Sequence, residues 1–380
     1  MINQKSTVIY FNNLDSFRAI AAFLVIFYHI ATKLNFPQNQ GYYYLKELLS
    51  FKGQGGPFGV TFFFILSGFL ITYLMFAELE KTGSFSILRF YMRRLLRIWP
   101  LYYLTLIIGF VIYPLMMHLS GIDYSLVANG WLYVLFLTNF DAVYTNHPVA
   151  DLLSVQWSVA IEEQFYLVWP LIFSLSNKKV FPFVLIAVVI WSQVYFGLQH
   201  DWKFGYYHTF SNIRFLAAGA FLATITYHYP GAIKKIFSYI PKSITLVIYL
   251  TGTLLLFFGQ TITAGNPVFN NAIHFIAKFF FLYVIAEQTF SENRLFNMGA
   301  SKLLTSLGKI SYGLYLIHMI AITIVTAAFN NQSQLIIVQV LLVLLLTIIL
   351  SHLSYRYYER YFLKLKDRFS SVKTGNATMS

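Results

Sequence analysis

The 380-residue chain has no cysteine, and charged residues make up only 11% of it. The absence of cysteine excludes a disulfide framework, a thiolate nucleophile and a cysteine-ligated metal site. Soluble domains carry about 25% charged residues, so the shortage of charge argues against a water-soluble fold. Hydrophobic residues account for 58% of the chain and aromatic residues for 19%. With apolar runs of about 20 residues, this composition predicts an all-α, polytopic integral membrane protein.

Eleven apolar segments are candidates for membrane-spanning helices, at roughly 16–34, 58–77, 98–117, 126–140, 157–175, 180–198, 211–228, 243–259, 271–287, 311–329 and 335–353. The fourth is short for a span of about 20 residues, and Asn129 and Gly130 interrupt it. We therefore predict about ten transmembrane helices and assign 126–140 to a re-entrant or interfacial piece. Whether that segment crosses the membrane is left open.

The distribution of lysine and arginine sets the expected orientation. With ten crossings, most of the 27 basic residues fall in segments on the side of the N-terminus, which the positive-inside rule makes the cytoplasm. Both termini are therefore expected there, and the net charge of +13 is ascribed to topology and anionic lipid rather than to nucleic acid. No cleavable signal peptide is evident. We expect one transmembrane domain over 1–362 and a short basic cytoplasmic tail over 363–380.

The first apolar run, Asp15 to Thr32, carries an arginine at its start and a histidine deep inside it. Arg18 and His29 are 11 residues apart, so they lie on one helix face with a rise of roughly 16 Å between them. Ionisable groups inside apolar helices mark functional sites, and a neutral imidazole can take a proton from a hydroxyl. The alternatives are a histidine that only hydrogen-bonds a neighbouring helix and an arginine that flanks the membrane.

A second polar group lies in SVQWSVAIEEQFY, residues 154–166. Ser158 and Glu162 are four residues apart and share a helix face, with Trp157 beside them. In the predicted orientation Glu162 and His29 both lie in the outer halves of their helices, so we expect a shared cavity in which the glutamate stabilises a protonated imidazole. A salt bridge or a carboxylate at a helix end is the alternative, and spacing does not decide between Glu162 and Glu163.

Two further motifs are less specific by themselves. Arg94 and Arg97 lie three residues apart at the predicted cytoplasmic end of the third span, where guanidinium groups can bind phosphate. A basic segment flanking the membrane is the simpler interpretation. Ser67 and Gly68, within GVTFFFILSGFLIT, allow close helix approach or a backbone hydrogen bond, and such residues usually serve packing.

The order of these motifs along the chain is similar to that of a known family. In chain order they read LDSFRAIAAFLVIFYH, GVTFFFILSGFLI, RRLLRIWPLYY, SVQWSVAIEEQFYLVWP, SYGLYLIH at 311–318 and YYER at 357–360. Together they resemble the membrane-bound acyltransferase-3 family of bacterial O-acyltransferases over nearly the whole chain. The resemblance implies ten helices in the bacterial inner (cytoplasmic) membrane and an acyl-CoA donor, acetyl-CoA by default. It further implies no metal, and a glycan or lipid-linked sugar as acceptor.

The resemblance also assigns residues by matched position. It makes His29 and Glu162 catalytic, which favours Glu162 over Glu163. The same matching makes Arg18, Arg94 and Arg97 the residues that bind the acyl-CoA. Supporting positions are Ser154, Trp157, Ser158, Ser67 and His318. For His318, contact with the donor channel and simple packing are equally open.

Two features depart from the family pattern. Tyr361 follows Glu359 and Arg360 where the family usually has proline, so we expect a structural role for Glu359. No hydrolase-like extracellular domain follows the last apolar run, so we expect the two-domain, peptidoglycan-type members to fit less well. The 26 or so residues after the last predicted helix are too few for another domain, so we expect none there.

The residues and the resemblance together predict an O-acyltransferase. His29 would act as general base on the acceptor hydroxyl and Glu162 would support the charge that develops on the ring, while Ser158 or Trp157 would donate to the thioester oxygen. A transient acyl-histidine, a proton-coupled transporter or flippase, and a structural subunit of the envelope are the alternatives. The sequence names neither the acyl chain, the acceptor nor the oligomeric state.

Overall fold

A computed structural model describes residues 8–122, 124, 128–145, 151–177, 179–262, 267–330 and 333–374. The first half contains α1 Asn12–Lys33, α2 Gln40–Leu49, α3 Gly55–Thr82, α4 Ile87–Ile107, α5 Tyr113–Leu119, α6 Gly130–Val134, α7 Thr138–Tyr144, α8 Gln156–Leu175 and α9 Phe181–Gly197. The second half contains α10 Trp202–Tyr207, α11 Thr209–His228, α12 Pro230–Tyr239, α13 Lys242–Ile262, α14 Pro267–Phe290, α15 Lys302–Lys309, α16 Ser311–Ala328, α17 Ile336–Ser354 and α18 Arg360–Asp367.

Short helical turns and one strand pair complete the described chain. Two π-helical turns, Ile108–Ile112 and Tyr355–Glu359, join α4 to α5 and α17 to α18. Turns of 3₁₀ helix lie at Asp151–Leu153, Met298–Ala300 and Ser333–Leu335. Strand β1, Val8–Ile9, pairs in parallel with β2, Lys373–Thr374.

The helices confirm an all-helical membrane protein. Among the described residues, six helical stretches are long and apolar enough to cross a bilayer, namely Asn12–Lys33, Gly55–Thr82, Ile87–Leu119, Lys242–Gly259, Ser311–Ala328 and Ser333–Asp367. Phe181–Gly197 is a shorter apolar helix. The helices α8, α11 and α14 coincide with the other predicted spans. A helix therefore lies at each of the ten predicted positions, while the number of crossings and the side on which the termini lie stay predictions.

The segment 126–140 is described from residue 128 onward. It holds the five residues of α6 and the first residues of α7, with Phe136 between them at a positive φ of 56°. The Asn129 side chain caps α6 by accepting a hydrogen bond from the backbone of Trp131 at 3.1 Å. Because the backbone breaks between α6 and α7, the described part of this segment is too short to span the membrane.

The long helix α3 is central because it packs against both α1 and α11. Its contact with α11 requires glycine on both sides: a Cβ at Gly68 would overlap the carbonyl of Leu216, and a Cβ at Gly219 would overlap the carbonyl of Ile65. Helices in membranes approach this closely only where small residues face each other. The packing interpretation of Gly68 is therefore correct, and the same contact fixes the position of the neighbouring Ser67.

The two ends of the described chain meet beside α3 and α4. Besides the β1–β2 pair, the Lys81 ammonium donates to the carbonyl of Ser371 at 2.8 Å, and the Arg93 guanidinium donates to the carbonyl of Phe369 at 2.9 Å. Lys366 is only 7% exposed. Up to Thr374, the residues after α17 therefore pack on the body of the protein near the start of α1.

Candidate active site

Two adjoining cavities are both lined by α1, α3 and α4; α8 and α16 complete the first, and α18 completes the second. The first, called here the arginine cavity, has a volume of about 780 Å³ and is lined by the polar residues Arg18, Ser67, Arg94, Arg97, Ser158, Glu162, Tyr166, Ser311, Tyr312 and Tyr315. The second, called the vestibule, has a volume of about 950 Å³ and includes Tyr10, Asp15, Glu78, Arg93 and Lys366 in its lining. Both cavities are lined by Arg18, Arg94 and Arg97. The three predicted arginines therefore stand at the boundary between the two cavities.

Arg18 is held in place by a carboxylate on its own helix. Its Nη1 lies 2.7 Å from Oδ1 of Asp15, one helical turn earlier. The other oxygen of Asp15 accepts a hydrogen bond from the Tyr10 hydroxyl at 2.7 Å. Burial and this hydrogen bond raise the pKa of Tyr10 above its usual range, so the phenol stays a neutral donor. Arg18 is thus oriented but already has one counter-charge.

Arg94 and Arg97 differ from Arg18 because neither forms an ion pair within the described residues. The Arg94 guanidinium stacks on the rings of Phe90 and Tyr166, 5.6 Å from each centroid. Its Nε is buried and has no hydrogen-bond partner. Guanidinium groups that are withdrawn from water are normally paired with an anion. Arg94 and Arg97 are half-buried at the boundary of a cavity and form no ion pair in the described chain, so they are suited to bind an anionic ligand.

Arg93 is a further arginine of α4 that the sequence analysis did not single out. It takes the carboxylate nearest to it on α3, so that carboxylate does not pair with Arg94 or Arg97. Its Nη2 lies 2.6 Å from Oε2 of Glu78 on α3, and both side chains are largely buried. Glu78 therefore neutralises Arg93 and leaves Arg94 and Arg97 available. The sequence signal was weak, because Glu78 and Arg93 lie on different helices in a region rich in basic residues.

Glu162 has both carboxylate oxygens hydrogen-bonded inside the arginine cavity. Ser67 donates to Oε1 at 2.8 Å, and Tyr166 donates to Oε2 at 3.1 Å. The Gly68–Leu216 contact thus positions, through Ser67, the carboxylate that faces the arginines. The hydrogen bonds of Glu162 run to these two hydroxyls and not to the His29 ring, so the glutamate could influence the imidazole only from a distance.

Glu163 points away from this site. Its Oε2 accepts a hydrogen bond from the indole of Trp99 at 2.9 Å, and it lines a separate, mostly apolar cavity together with Trp99 and Phe136. Consecutive residues on a helix are about 100° apart, so only one of the two glutamates can face a given neighbour. The structure places Glu162 in the arginine cavity and Glu163 outside it.

Ser158 and Tyr315 connect the arginine cavity to the histidines. The Ser158 hydroxyl lies 2.6 Å from the Tyr315 hydroxyl, and both residues line the cavity. The Tyr315 ring lies 6.1 Å from the ring of His318. Tyr315 was missed by sequence reasoning, although its position three residues before His318 in SYGLYLIH was a usable signal.

The other two residues of the serine-tryptophan-glutamate motif lie outside this cavity lining. The Trp157 ring packs against Tyr206 at 4.9 Å and Tyr207 at 5.0 Å. Ser154 precedes α8, and its hydroxyl is buried without a hydrogen-bond partner. Of the four motif residues, Ser158 and Glu162 therefore line the cavity, Trp157 packs against Tyr206 and Tyr207, and Ser154 lies in the turn before α8.

His29 and His318 form a direct pair. Nε2 of His318 lies 3.1 Å from Nδ1 of His29. The same Nδ1 lies 3.0 Å from the carbonyl of Val25, and Nδ1 of His318 lies 3.2 Å from the carbonyl of Leu314. His318 is fully buried. Neither histidine is in the lining of the arginine cavity.

The carbonyl partners assign the tautomers of the neutral pair. A carbonyl oxygen can only accept, so Nδ1 of His318 carries a proton and its Nε2 is left as an acceptor. Nδ1 of His29 must then carry the proton shared between His318 and the Val25 carbonyl. The lone pair of His29 is consequently on Nε2. An imidazole fixed in this way is arranged to accept a proton at one defined atom.

Glu359 lies apart from both cavity linings. Its Oε1 accepts a hydrogen bond from Ser354 at 3.0 Å, across the π-helical turn that joins α17 to α18. The residue is 8% exposed. This contact within its own segment favours the structural role expected for it.

Comparisons with known proteins were made for the whole chain. A family model described as an acyltransferase domain matches residues 11–356. The peptidoglycan O-acetyltransferase OatA of Listeria monocytogenes is 28% identical over 375 residues, covering 92% of this chain and 55% of the relative. The O-acetyltransferase OatA of Staphylococcus aureus (strain NCTC 8325) is 29% identical over 370 residues, covering 92% and 57%.

A third similar protein is a putative O-acetyltransferase of Staphylococcus aureus (strain COL), 27% identical over 373 residues and covering 93% of this chain and 58% of the relative. The chain thus spans little more than half the length of these curated relatives. No solved structure matches the chain significantly.

Proposed function

This chain belongs to the acyltransferase-3 family, whose domain model spans residues 11–356, and from that premise we propose that it is an O-acetyltransferase of envelope polysaccharide. The donor would be acetyl-CoA and the acceptor a hydroxyl group of a glycan or of a lipid-linked sugar. Similarity to proteins named O-acetyltransferases supports this proposal. The observation that carries it is the pair Arg94 and Arg97, half-buried at a cavity boundary and without an ion pair in the part of the chain that the structure describes.

The phosphate-rich head of coenzyme A suits these arginines. Guanidinium groups bind phosphate through parallel hydrogen bonds, and a desolvated site makes such bonds strong. The vestibule adds Lys366 to the cationic lining, while Arg93 lies there paired with Glu78. We infer that the head group binds in the vestibule against Arg94 and Arg97. The thin pantetheine arm would then extend into the arginine cavity along the face of α1 that carries Arg18 and His29, which rises roughly 16 Å.

The transfer would take place beside the histidine pair. The acceptor hydroxyl oxygen attacks the thioester carbonyl carbon, the carbon–sulfur bond breaks and an ester bond forms. His29 accepts the hydroxyl proton at Nε2, and the proton then passes to the departing thiolate. His318 holds the tautomer of His29 that makes this possible. A route in which His29 first takes the acyl group itself is the alternative.

Glu162 would serve the reaction by positioning and by charge. Its carboxylate, fixed by Ser67 and Tyr166, faces the arginines. We propose that it balances part of the positive charge of the cavity and orients Tyr166 under the Arg94 guanidinium. Ser158 and Tyr315, which join the cavity to His318, have hydroxyl groups able to donate to the thioester oxygen.

The proposed orientation follows from the positive-inside distribution. The vestibule would open to the cytoplasm, where coenzyme A derivatives are found, and the acceptor would reach His29 from the outer side of the bacterial inner membrane. Capsule, O-antigen, exopolysaccharide and peptidoglycan are the acceptor classes to be distinguished. Peptidoglycan belongs among them because one similar protein is named for it.

The decisive experiment measures transfer of labelled acetyl from acetyl-CoA in membranes that contain the full chain or its variants. We expect His29→Ala to lose at least about 1000-fold in rate, because it removes the general base and the alignment it provides. His352, exposed on α17, supplies the control, and His352→Ala should transfer like the wild type. Activity of His29→Ala within a few-fold of wild type, at equal protein level, would refute the general-base proposal.

The same assay separates an enzyme from a transporter. Purified protein should release coenzyme A from acetyl-CoA when the acceptor is present. A flippase that uses the histidines as a proton relay would move a lipid-linked precursor without releasing coenzyme A.

A further inference from the structure

Two cations outside the candidate active site are buried between α11 and α14 without a counter-anion. Arg214 on α11 is 4% exposed and Lys278 on α14 is 2% exposed. They lie on α11 and α14, which pack against each other. In the part of the chain that the structure describes, neither side chain has a hydrogen-bond or ion-pair partner, and Nη1 of Arg214 is inaccessible and unsatisfied.

Both charges lie against aromatic rings. The Arg214 guanidinium carbon is 3.7 Å from the ring centroid of Phe196 and 4.6 Å from that of Phe215. The Lys278 ammonium is 4.4 Å from the centroid of Phe275 and 5.5 Å from that of Phe279. A ring face attracts a cation but does not neutralise it. Two neighbouring desolvated cations therefore still require negative charge.

The carboxylate on the same helix cannot supply that charge. Glu287 follows Lys278 by nine residues on α14, a rise of about 14 Å. Its oxygens already accept hydrogen bonds from the Tyr249 hydroxyl, the Gln288 amide and the backbone N–H of Leu295. Within the described part of the chain no carboxylate is therefore paired with Arg214 or Lys278.

The surroundings of the pair point to the lipid phase. Phe275 and Phe279, whose rings contact Lys278, are 43% and 54% exposed on an apolar helix. The ammonium is thus one ring away from the surface that faces lipid. Arg214 follows the start of α11 by five residues, a rise of about 8 Å, and Phe196 is next to the last residue of α9. The guanidinium therefore lies within about two turns of the helix ends. Lys278 follows the start of α14 by 11 residues, a rise of about 16 Å, and its ammonium extends back toward that end to contact Phe275, one turn earlier.

We propose that Arg214 and Lys278 form a binding site for the phosphate group of an anionic membrane lipid. Basic groups between transmembrane helices recognise headgroup phosphates through charge and hydrogen bonding. This site is separate from the donor-binding arginines and does not depend on the proposed acetyl transfer. It gives the lipid a fixed position between α11 and α14, beside the α3–α11 contact that holds Ser67.

Native mass spectrometry of the delipidated full chain in detergent tests the proposal directly, with phosphatidylglycerol as the anionic probe and phosphatidylcholine as the zwitterionic one. Wild type should bind phosphatidylglycerol at least about 10-fold more tightly than phosphatidylcholine. Arg214→Gln and Lys278→Met should each lower the affinity for phosphatidylglycerol by about 10-fold. Equal binding of the two lipids, or undiminished binding by both variants, would overturn the proposal.

Two matched controls lie at exposed or half-buried positions with the same chemistry. The Arg356 guanidinium stacks on Tyr357 at 5.4 Å, and the Lys52 ammonium lies 4.7 Å from the ring centroid of Phe258. Arg356→Gln and Lys52→Met remove one positive charge each from a cation–ring contact. They should leave phosphatidylglycerol binding within two-fold of wild type, and a loss equal to that of Arg214→Gln would show that only general surface charge attracts the lipid.

A competition experiment tests whether the site binds the phosphate of a lipid or free inorganic phosphate. If inorganic phosphate at millimolar concentration displaces phosphatidylglycerol from the wild type, the site takes free anions and the assignment to lipid is wrong. Should Arg214→Gln fail to fold, Arg214→Lys keeps a positive charge and should retain at least half of the binding. If Arg214→Lys folds and loses as much binding as Lys278→Met, the charge-based assignment fails.

Discussion

The arginine cavity and the Arg214–Lys278 pair both bury cations, but they differ in what surrounds the charge. In the first region Asp15 pairs with Arg18 and Glu78 pairs with Arg93, so fixed carboxylates offset part of the positive charge. In the second region the described contacts of the cations are aromatic rings. Where carboxylates neutralise part of the positive charge, only the remaining charge binds the ligand, and this suits a ligand that must enter and leave at every turnover. Where the cations have no carboxylate partner, the ligand must supply all of the negative charge, and this suits a ligand that stays bound.

The largest expected effect sets the two regions against each other in the acetyl-transfer assay. We expect the double variant Arg94→Ala/Arg97→Ala to lower kcat/KM for acetyl-CoA about 1000-fold, since each lost charge-assisted phosphate contact costs about 2 kcal/mol. Arg214→Gln should change this value less than three-fold. Steady-state kinetics at equal protein level measure both.

Arg89 provides the control within α4. It is exposed, five residues before Arg94, so Arg89→Ala removes a basic charge from the same helix without touching the cavity. An equal loss in Arg89→Ala and in the double variant would mean that the arginines only set the orientation of the helix in the membrane. A large decrease in kcat/KM for acetyl-CoA in Arg214→Gln would contradict the assignment of donor binding to the arginine cavity alone.

A smaller effect sharpens the description of the arginine cavity itself. Glu162→Gln should lower kcat about 100-fold, because it removes the charge and weakens the hydrogen bonds from Ser67 and Tyr166 in a desolvated site. Glu163→Gln is the neighbouring control, and its bond from Trp99 can be kept by the amide oxygen. We expect less than a three-fold change there. Equal losses in the two variants would contradict the assignment of Glu162 to the cavity.

Much of the fold could be predicted because the membrane imposes a simple rule. Apolar runs of about 20 residues must be helices, since no water satisfies the backbone in the bilayer. The segment 126–140 is the exception to this rule. Asn129 interrupts its apolar run, and the structure shows that this side chain caps a short helix. The return of the chain after α17 was not predictable. It depends on backbone acceptors at Phe369 and Ser371, and backbone acceptors are present in every residue.

The site was predictable where spacing on one helix determines it. The Arg18–His29 stripe and the Ser158–Glu162 pair needed only the helical period. Contacts between helices were out of reach. The sequence suggested Glu162 as the partner of His29, whereas the hydrogen bonds join His29 to His318 and Glu162 to Ser67 and Tyr166. Which helices adjoin is set by packing, such as the Gly68–Leu216 contact, and spacing within one segment carries no information about it.

The next expected effect concerns stability and tests whether charge in the vestibule is balanced. Glu78→Gln removes the partner of Arg93 from a buried pair separated by 2.6 Å. Removing one partner of such a pair costs about 3 kcal/mol, because the other charge stays buried and unpaired. We expect the melting temperature in detergent to fall by several degrees. Glu80, near the end of the same helix, is exposed and accepts a hydrogen bond from the Tyr227 hydroxyl. Glu80→Gln should therefore lower the melting temperature less. An equal decrease in the melting temperature of both variants would argue against the idea that Glu78 balances the charge of Arg93 in the vestibule.

The smallest expected effect is an increase in the melting temperature, and it depends again on the cost of a buried, unpaired charge. Lys278→Met replaces an uncompensated buried charge with an apolar side chain of similar length, and such replacements are neutral or stabilising by about 1 kcal/mol or more. In lipid-free detergent we expect the melting temperature to rise by about 2 °C. Added phosphatidylglycerol should stabilise the wild type and reverse the order of the two proteins, because only the wild type keeps the full binding site. A variant that melts below the wild type without lipid would mean that Lys278 already has its counter-charge in the protein, and the contrast between the two regions would disappear.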